Sequence, residues 1–214
     1  MVKLRDIWQC LYPYGVFRAG EAVYLTFDDG PIPEVTPRLL DILAKYDVKA
    51  TFFMVGENID KHPDVFAQVL KAGHTIGNHT YNHLKGWKTG FHEYLDNVKH
   101  CQEAIHRNGQ WTMENGQWTM DNGQLFRPPY GKATLRQRRA LHQKGYRLIY
   151  WDILTRDYDP SVTPEAMLRR IQREVRPGSI INFHDSLKSN ERTLAVLPQV
   201  IEWLRAQGYT LETL

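Results

Sequence analysis

From Val23 to the end of the chain, short runs rich in β-branched and aromatic residues alternate with amphipathic stretches. That alternation constrains the fold more than any other feature. The strand-like runs are Val23–Thr26, Ala50–Val55, Thr75–Gly77, Leu125–Arg127, Arg147–Trp151, Ser179–Phe183 and Thr210–Leu214. Between them the periodicity and end signals predict helices over Thr36–Lys45, Pro63–Lys71, Phe91–His106, Thr134–Lys144, Pro164–Glu174 and Thr193–Gln207. Thr36-Pro37 and Thr163-Pro164 are helix starts, and Gly73, Gly145 and Gly208 are stops. Strands separated by helices fit a parallel sheet with helical crossovers. In 214 residues this pattern is near the lower size of a (β/α) barrel, with an open doubly wound sheet as the rival. No Gly-x-Gly-x-x-Gly follows the first strand, so a dinucleotide fold has little support. The expectation is an α/β domain over residues 23–214, a distorted or incomplete barrel of about seven parallel strands. It follows an N-terminal segment, residues 1–22.

Composition narrows the class of partner. With 42% hydrophobic and 24% charged residues the chain reads as a soluble globular protein. A net charge of +3 gives no basis for nucleic acid or an anionic membrane as partner. Cys10 and Cys101 have no Cys or His at structural-zinc spacing and read as free thiols. The first ten residues carry charges at Lys3, Arg5 and Asp6 and lack an apolar signal core, and no stretch is long enough to span a bilayer. The default expectation is therefore a cytoplasmic monomer, or a cell-envelope protein if another export route operates.

Residues 108–124 break the alternation with a seven-residue tandem repeat, Asn-Gly-Gln-Trp-Thr-Met followed by Glu or Asp. Asn115-Gly116 is a type I′ hairpin signal that pairs Met113 with Trp118 and Trp111 with Met120. An aromatic binding arm and a passive loop expansion are the two readings, the second being the simpler. An insertion before the fourth strand leaves from the N-terminal face of a barrel.

In such barrels the chemistry sits at the C-terminal ends of the strands. Asp28 and Asp29 follow strand one, where Gly30-Pro31 also permits an ordinary turn. His79 and His83 follow strand three, Arg127 and Tyr130 strand four, Trp151, Asp152 and Asp157 strand five, and His184 and Asp185 strand six. Two His four residues apart face the same way on a helical turn, and with one carboxylate they make an open catalytic zinc set. Sites of this kind also take cobalt, nickel or iron. Six other His (62, 74, 92, 100, 106 and 142) show no partner pattern and read as surface or structural.

These motifs resemble those of the polysaccharide deacetylases, carbohydrate esterase family four. They are Thr26-Phe27-Asp28-Asp29-Gly30, His79-Thr80-x-x-His83, Arg127-Pro128-Pro129-Tyr130-Gly131 and Phe183-His184-Asp185, in order. The resemblance covers about Val23 to Leu214. It implies a distorted barrel that removes N-acetyl groups from N-acetylglucosamine-type saccharides of peptidoglycan or chitin. It implies Asp28 as general base, Asp29, His79 and His83 as metal ligands, and Arg127 as the residue orienting Asp28. It further implies Tyr130 as an oxyanion donor through its backbone N–H, Asp157 as the partner of the catalytic His, and His184 as general acid. Two departures concern the acyl pocket. Asn182 stands where the family usually has an apolar Leu, and Leu154 replaces the first Asp of a motif reading Asp-x-x-Asp-Trp, with Trp151 as a candidate apolar wall. Alternatives are de-N-acylation of a small or lipid-linked sugar, O-acetyl ester hydrolysis, and a non-catalytic sugar-binding barrel.

Overall fold

The computed structural model describes residues 14–109, 113–114, 117–118 and 124–214. Its elements run β1 (Gly15–Val16), β2 (Val23–Asp28), α1 (Thr36–Lys45), β3 (Thr51–Met54), α2 (Gly56–Lys61), α3 (Pro63–Lys71) and β4 (Thr75–Asn78). There follow α4 (Phe91–Gly109), β5 (Met113–Glu114), β6 (Gln117–Trp118), β7 (Gln124–Phe126), α5 (Leu135–Gln143) and β8 (Tyr146–Ile149). The chain ends with β9 (Ile153–Leu154), α6 (Pro164–Glu174), β10 (Ile180–His184), α7 (Asn190–Ala206) and β11 (Leu211–Glu212). All seven strands and six helices read from the sequence are present. Those opened by a proline at the first turn, α1, α3 and α6, match to the residue, because Pro presets the helical φ there.

Nine strands form one parallel sheet in the order β1-β8-β7-β4-β3-β2-β10-β9, with β11 beside the start of β2. Alternation along each strand divides the sheet into two faces. Val23, Leu25 and Phe27 of β2 and Ile181 and Phe183 of β10 point to the helices and join Leu39, Phe66, Met167 and Val200 in the main core. Phe27 stacks on Phe52 and Phe183 at centroid distances of 5.0 and 5.6 Å. Each such buried ring contributes roughly 2–3 kcal/mol of apolar burial. The concave face carries Tyr24, Phe53, Leu125, Ile149 and Ile180 as a separate apolar cluster. The same parity puts Thr26, Asp28, Asn182 and His184 on the concave face, above that plug.

The expected strand over 147–151 ends two residues early, and a further short strand follows it. β8 stops at Ile149, and Tyr150–Asp152 carry the chain to β9 at the other end of the sheet order. Three residues reach only ~10 Å, so the sheet is curled until those strands face each other across a narrow seam. Residues assigned by sequence to the N-terminal segment fill it. β1 pairs with β8, Arg18 bridges Ser179, and the Ala19 N–H donates to the Gly178 carbonyl at 3.0 Å. Gly178 has φ +84°, and a Cβ there would lie 2.8 Å from the Gly20 carbonyl, so the seam requires glycine.

This crossing also corrects the placement of Asp152. It enters β9 from the N-terminal side, where its carboxylate accepts from the Ile180 N–H, Ser179 Oγ and Arg18 Nε at 2.8–2.9 Å. Asp152 therefore locks the bottom of the seam and does not reach the catalytic rim. The repeat forms the expected antiparallel pair, with Met113 opposite Trp118; the Trp111–Met120 pair lies outside the described residues. It is attached after α4 and before β7. Among the described residues no helix is long and apolar enough to cross a membrane.

Candidate active site

Five of the seven non-glycine residues with positive φ among those described lie in the loops above the strands: Asp29 (90°), Thr80 (65°), His83 (55°), Tyr130 (58°) and Arg156 (62°). Such strained backbone gathers where loop direction is set by function.

His79 and His83 do not share a helical turn, as their spacing had suggested. The N–H groups that would close such a turn go to side chains: Thr80 N–H to Asn78 Oδ1, Tyr81 and Asn82 N–H to Asn97 Oδ1, and Leu84 N–H to Thr80 Oγ1. The segment is a hydrogen-bonded loop, because side-chain acceptors, the local Asn78 and Thr80 and the distant Asn97 of α4, replace the helical carbonyls. The loop still brings the rings together, 5.1 Å between centroids. Asp29 Oδ1 lies 3.1 Å from His83 Nε2 and 3.7 Å from His79 Nε2.

These three residues are a metal-ligand constellation, their ligand atoms all within 4.8 Å of one another. The donor set passes a chemical test of fit. Asp29 Oδ1 is buried with no hydrogen-bond partner, which is costly unless a cation sits against it. His79 Nδ1–H donates to the Arg127 carbonyl at 2.7 Å, which fixes the tautomer and leaves the Nε2 lone pair for a metal. Burial lowers the His79 pKa to about 4, so the ring is neutral and ligand-competent near pH 7. Burial opposes ionisation of Asp29, yet the neighbouring imidazoles of His83, His184 and His79 hold its carboxyl well below the usual range. The Asn58 amide anchors the loop by donating to the Asp29 carbonyl at 2.8 Å.

Asp28 ends β2 on the concave face. Arg127 Nη1 donates to its Oδ1 at 2.7 Å, and to Thr26 Oγ1 and Asn182 Oδ1 at 2.8 and 3.0 Å. The other Arg127 nitrogens reach the carbonyls of Ile149 and Tyr150. The guanidinium is fully buried across the barrel interior, its Cζ 4.1 Å from the Phe53 ring centroid. A buried charge held by so many partners fixes the position of the carboxylate it touches.

His184 stands beside Asp28 in the β10–β2 register. Its Nδ1–H donates to Asp157 Oδ1 at 2.7 Å, and its backbone N–H donates to Oδ2 at 2.6 Å. Thr193 Oγ1, in α7, also donates to that Oδ2 at 2.7 Å. Burial alone would lower the His184 pKa, but the Asp157 hydrogen bond and charge, with smaller contributions from Asp29 and Asp28, push it up to about 9. His184 is thus an imidazolium at neutral pH, with Nδ1 occupied and Nε2–H free to act.

Tyr130 is 56% exposed and lies over His83, 4.7 Å between rings. Trp151 is half-buried on the concave face with Arg127 5.6 Å from its ring. A Cβ on Gly131 would meet that indole at 3.1 Å, so Gly131 lets the loop close on it. Asn182 has no exposed surface. It sits in register with Thr26, one concave-face step below the His184–Asp28 pair. The structure therefore puts it beneath Asp28, as a partner of Arg127.

Sequence reasoning missed Asn58 and Thr193, and it named Thr26 and Asp185 within motifs without giving them a role. Parity two residues before Asp28 could have flagged Thr26. Asp185 accepts from the Gly30 N–H at 2.8 Å and from Thr36 Oγ1 at 2.9 Å, and its own N–H donates to the Asp28 carbonyl at 2.9 Å, tying the two catalytic loops. Of the six other His, His74 is buried and accepts the Ala50 N–H, and His106 is buried against Gln102; both are structural.

Comparison with known proteins agrees with this geometry. The model of the polysaccharide deacetylase family matches residues 18–149. A peptidoglycan-N-acetylglucosamine deacetylase of Bacillus cereus is 32% identical over 89% of this chain and 85% of its own length. A chitooligosaccharide deacetylase of Azorhizobium caulinodans is 32% identical over 90% and 92% respectively. A crystal structure of a peptidoglycan N-acetylglucosamine deacetylase superposes with a TM-score of 0.86 at 29% identity, covering 97% of this chain and 93% of that one. A pseudoenzyme of the CE4 family from Bacillus anthracis superposes at 0.81, with 25% identity over 95% and 68%. With its ordered motifs gathered on one rim, the chain belongs to the polysaccharide deacetylase family.

Proposed function

We propose that this protein hydrolyses the N-acetyl group of N-acetylglucosamine-type saccharides to a free amine and acetate. Asp29, His79 and His83 would hold a divalent metal, with zinc favoured by two imidazoles and one carboxylate around an open position. Such an ion supplies polarisation of the amide carbonyl and a lowered pKa for water. The remaining work falls to the chain. Asp28, outside the ligand set and clamped by Arg127, takes the proton of the attacking water. The backbone N–H of Tyr130, in a turn beside His83, donates to the developing oxyanion. His184, cationic through Asp157, gives its Nε2 proton to the departing amine. An amide needs this last step because an unprotonated amine anion is too basic to leave.

The observation that carries the reading is the division of labour between adjacent carboxylates. Asp29 faces two imidazoles with a bare oxygen, while Asp28 faces a buried guanidinium. The fold alone does not carry it, since a pseudoenzyme shares the fold. The cationic His184 favours amide over ester cleavage, because an alcohol leaving group makes less demand on an acid. The test is acetate release from N-acetylglucosamine oligomers with added zinc, and again after chelation. Activity that survives full chelation would refute the proposal.

A further inference from the structure

Beside the metal ligands the rim carries a group of cations with no use in the reaction just described. Neither 65–92 nor 122–151 contains a single Asp or Glu. The fold joins these two acid-free segments. The Gly86 N–H donates to the Lys132 carbonyl at 2.9 Å, and Trp87 Nε1 donates to the Ala133 carbonyl at 3.2 Å. Gln137, from the first turn of α5, donates to the carbonyls of Gly86 and Thr89. A Cβ on Gly86 would lie 2.6 Å from the Lys132 carbonyl, so the approach depends on glycine.

The product is a fixed shelf. Trp87 is 55% exposed although its indole N–H is tied down, and Tyr130, against the His83 ring, is exposed as well. Lys132 Nζ lies 4.2 Å from the Trp87 ring, and Lys85 Nζ lies 5.3 Å from the Tyr130 ring. Lys88 and Arg136 extend the charge outward. Among the described residues none of these four cations has an ion-pair partner. By contrast, the acids Glu57, Asp60 and Asp159 are paired with Lys61, Arg107 and Arg156.

We propose that this shelf is a saccharide subsite that reads a carboxylate. The sugar next to the N-acetylated one packs against Trp87 and Tyr130, and its acid group pairs with Lys85 and Lys132. Rigid aromatic faces suit a pyranose ring, and unpaired cations beside them select an anionic glycan over a neutral one of equal length. The occupant is thus a glycan with a carboxylate on the sugar adjoining the substrate sugar. The proposal rests on the deacetylase reading for the position of the reacting sugar.

Three tetrasaccharides of N-acetylglucosamine type provide the test: one neutral, one with 3-O-lactyl carboxylates on alternate sugars, and one with those carboxylates converted to amides. Binding is measured by calorimetry on the full chain carrying Asp28→Asn, and acetate release on the unsubstituted protein. The acidic tetramer binds tighter than both others, and added salt shrinks the difference. Lys132→Gln and Lys85→Gln each weaken binding of the acidic tetramer by about two- to fivefold and leave the neutral one unchanged. Equal affinities for the three, equal losses on acidic and neutral tetramers, or no measurable binding overturns the subsite. Acetate release with no acid preference sinks the subsite and spares the deacetylase. A persistent acid preference in binding without acetate release sinks the deacetylase and spares the subsite.

Discussion

Asp28 and Asp29 are neighbours with opposite environments, and single substitutions should separate their tasks. Asp28→Asn keeps an acceptor for Arg127 Nη1 but cannot take a proton. A kcat loss of about 10²- to 10⁴-fold is expected with zinc stoichiometry unchanged, measured by acetate release and metal analysis. Arg127→Met leaves the Asp28 carboxylate buried without its cation. That should destabilise the fold by about 3–5 kcal/mol in denaturant unfolding. On the proposed mechanism, His184 should set the alkaline limit. Its folded pKa of about 9 lies above the ordinary value, so the acid form is present below that pH and is lost as pH rises through it. The alkaline limb of kcat should therefore fall near pH 9, and Asp157→Asn should move it to lower pH. The same raised pKa adds stability that is complete below the unfolded value and lost as pH climbs through about 9.

Elements position these residues, and their supports are open to the same kind of test. α5 opens with a capping box in which Thr134 Oγ1 accepts the Gln137 N–H and the Gln137 side chain accepts the Thr134 N–H. Thr134→Ala should cost about 1 kcal/mol in thermal or denaturant unfolding. It should also loosen the Gly86 loop that Gln137 holds, and so raise KM more than it lowers kcat. The hairpin of β5 and β6 attaches at the opposite end of the strands from the site. Removing residues 109–122 should leave turnover of short oligosaccharides unchanged, and a large loss would assign the repeat a role in the reaction. Helices announced by Thr-Pro or closed by Gly were legible in the sequence because those residues act locally. β1, α2 and β9, of two to six residues, were not, because they are shorter than any periodicity that could reveal them. The loop from His79 to His83 was misread as a helical turn because Asn97, which accepts from it, is far along the chain.

At the scale of the whole molecule, the buried neutral imidazoles and the proposed metal ligands Asp29, His79 and His83 should couple stability to solution conditions. Burial lowers the pKa values of His74, His79 and His106 to about 4. The unfolded chain, with imidazoles near ~6.5, binds more protons between those limits. Stability of the chelated protein should therefore fall as pH drops from ~6.5 towards ~4. Excess zinc should raise the melting temperature, since a ligand at a thousand times its Kd adds about 4 kcal/mol. Asp29→Ala should abolish that rise, and a shift that survives it would place the metal elsewhere.

The sequence by itself determined the parallel α/β class, most element boundaries to within a few residues and which ionisable residues end or follow strands. Each of those depends on local periodicity, turn chemistry and the end of a strand. Only the tertiary structure decided which of the strand-end residues meet. The curl of the sheet brings Arg127 under Asp28, places Asn182 beneath them, and drops Asp152 to the far end of the seam. The same closure sets the acid-free segments side by side with Trp87 between their lysines. Alternation fixes which face a side chain takes, but pairings between residues on different strands and loops follow from register and closure, which no local pattern contains.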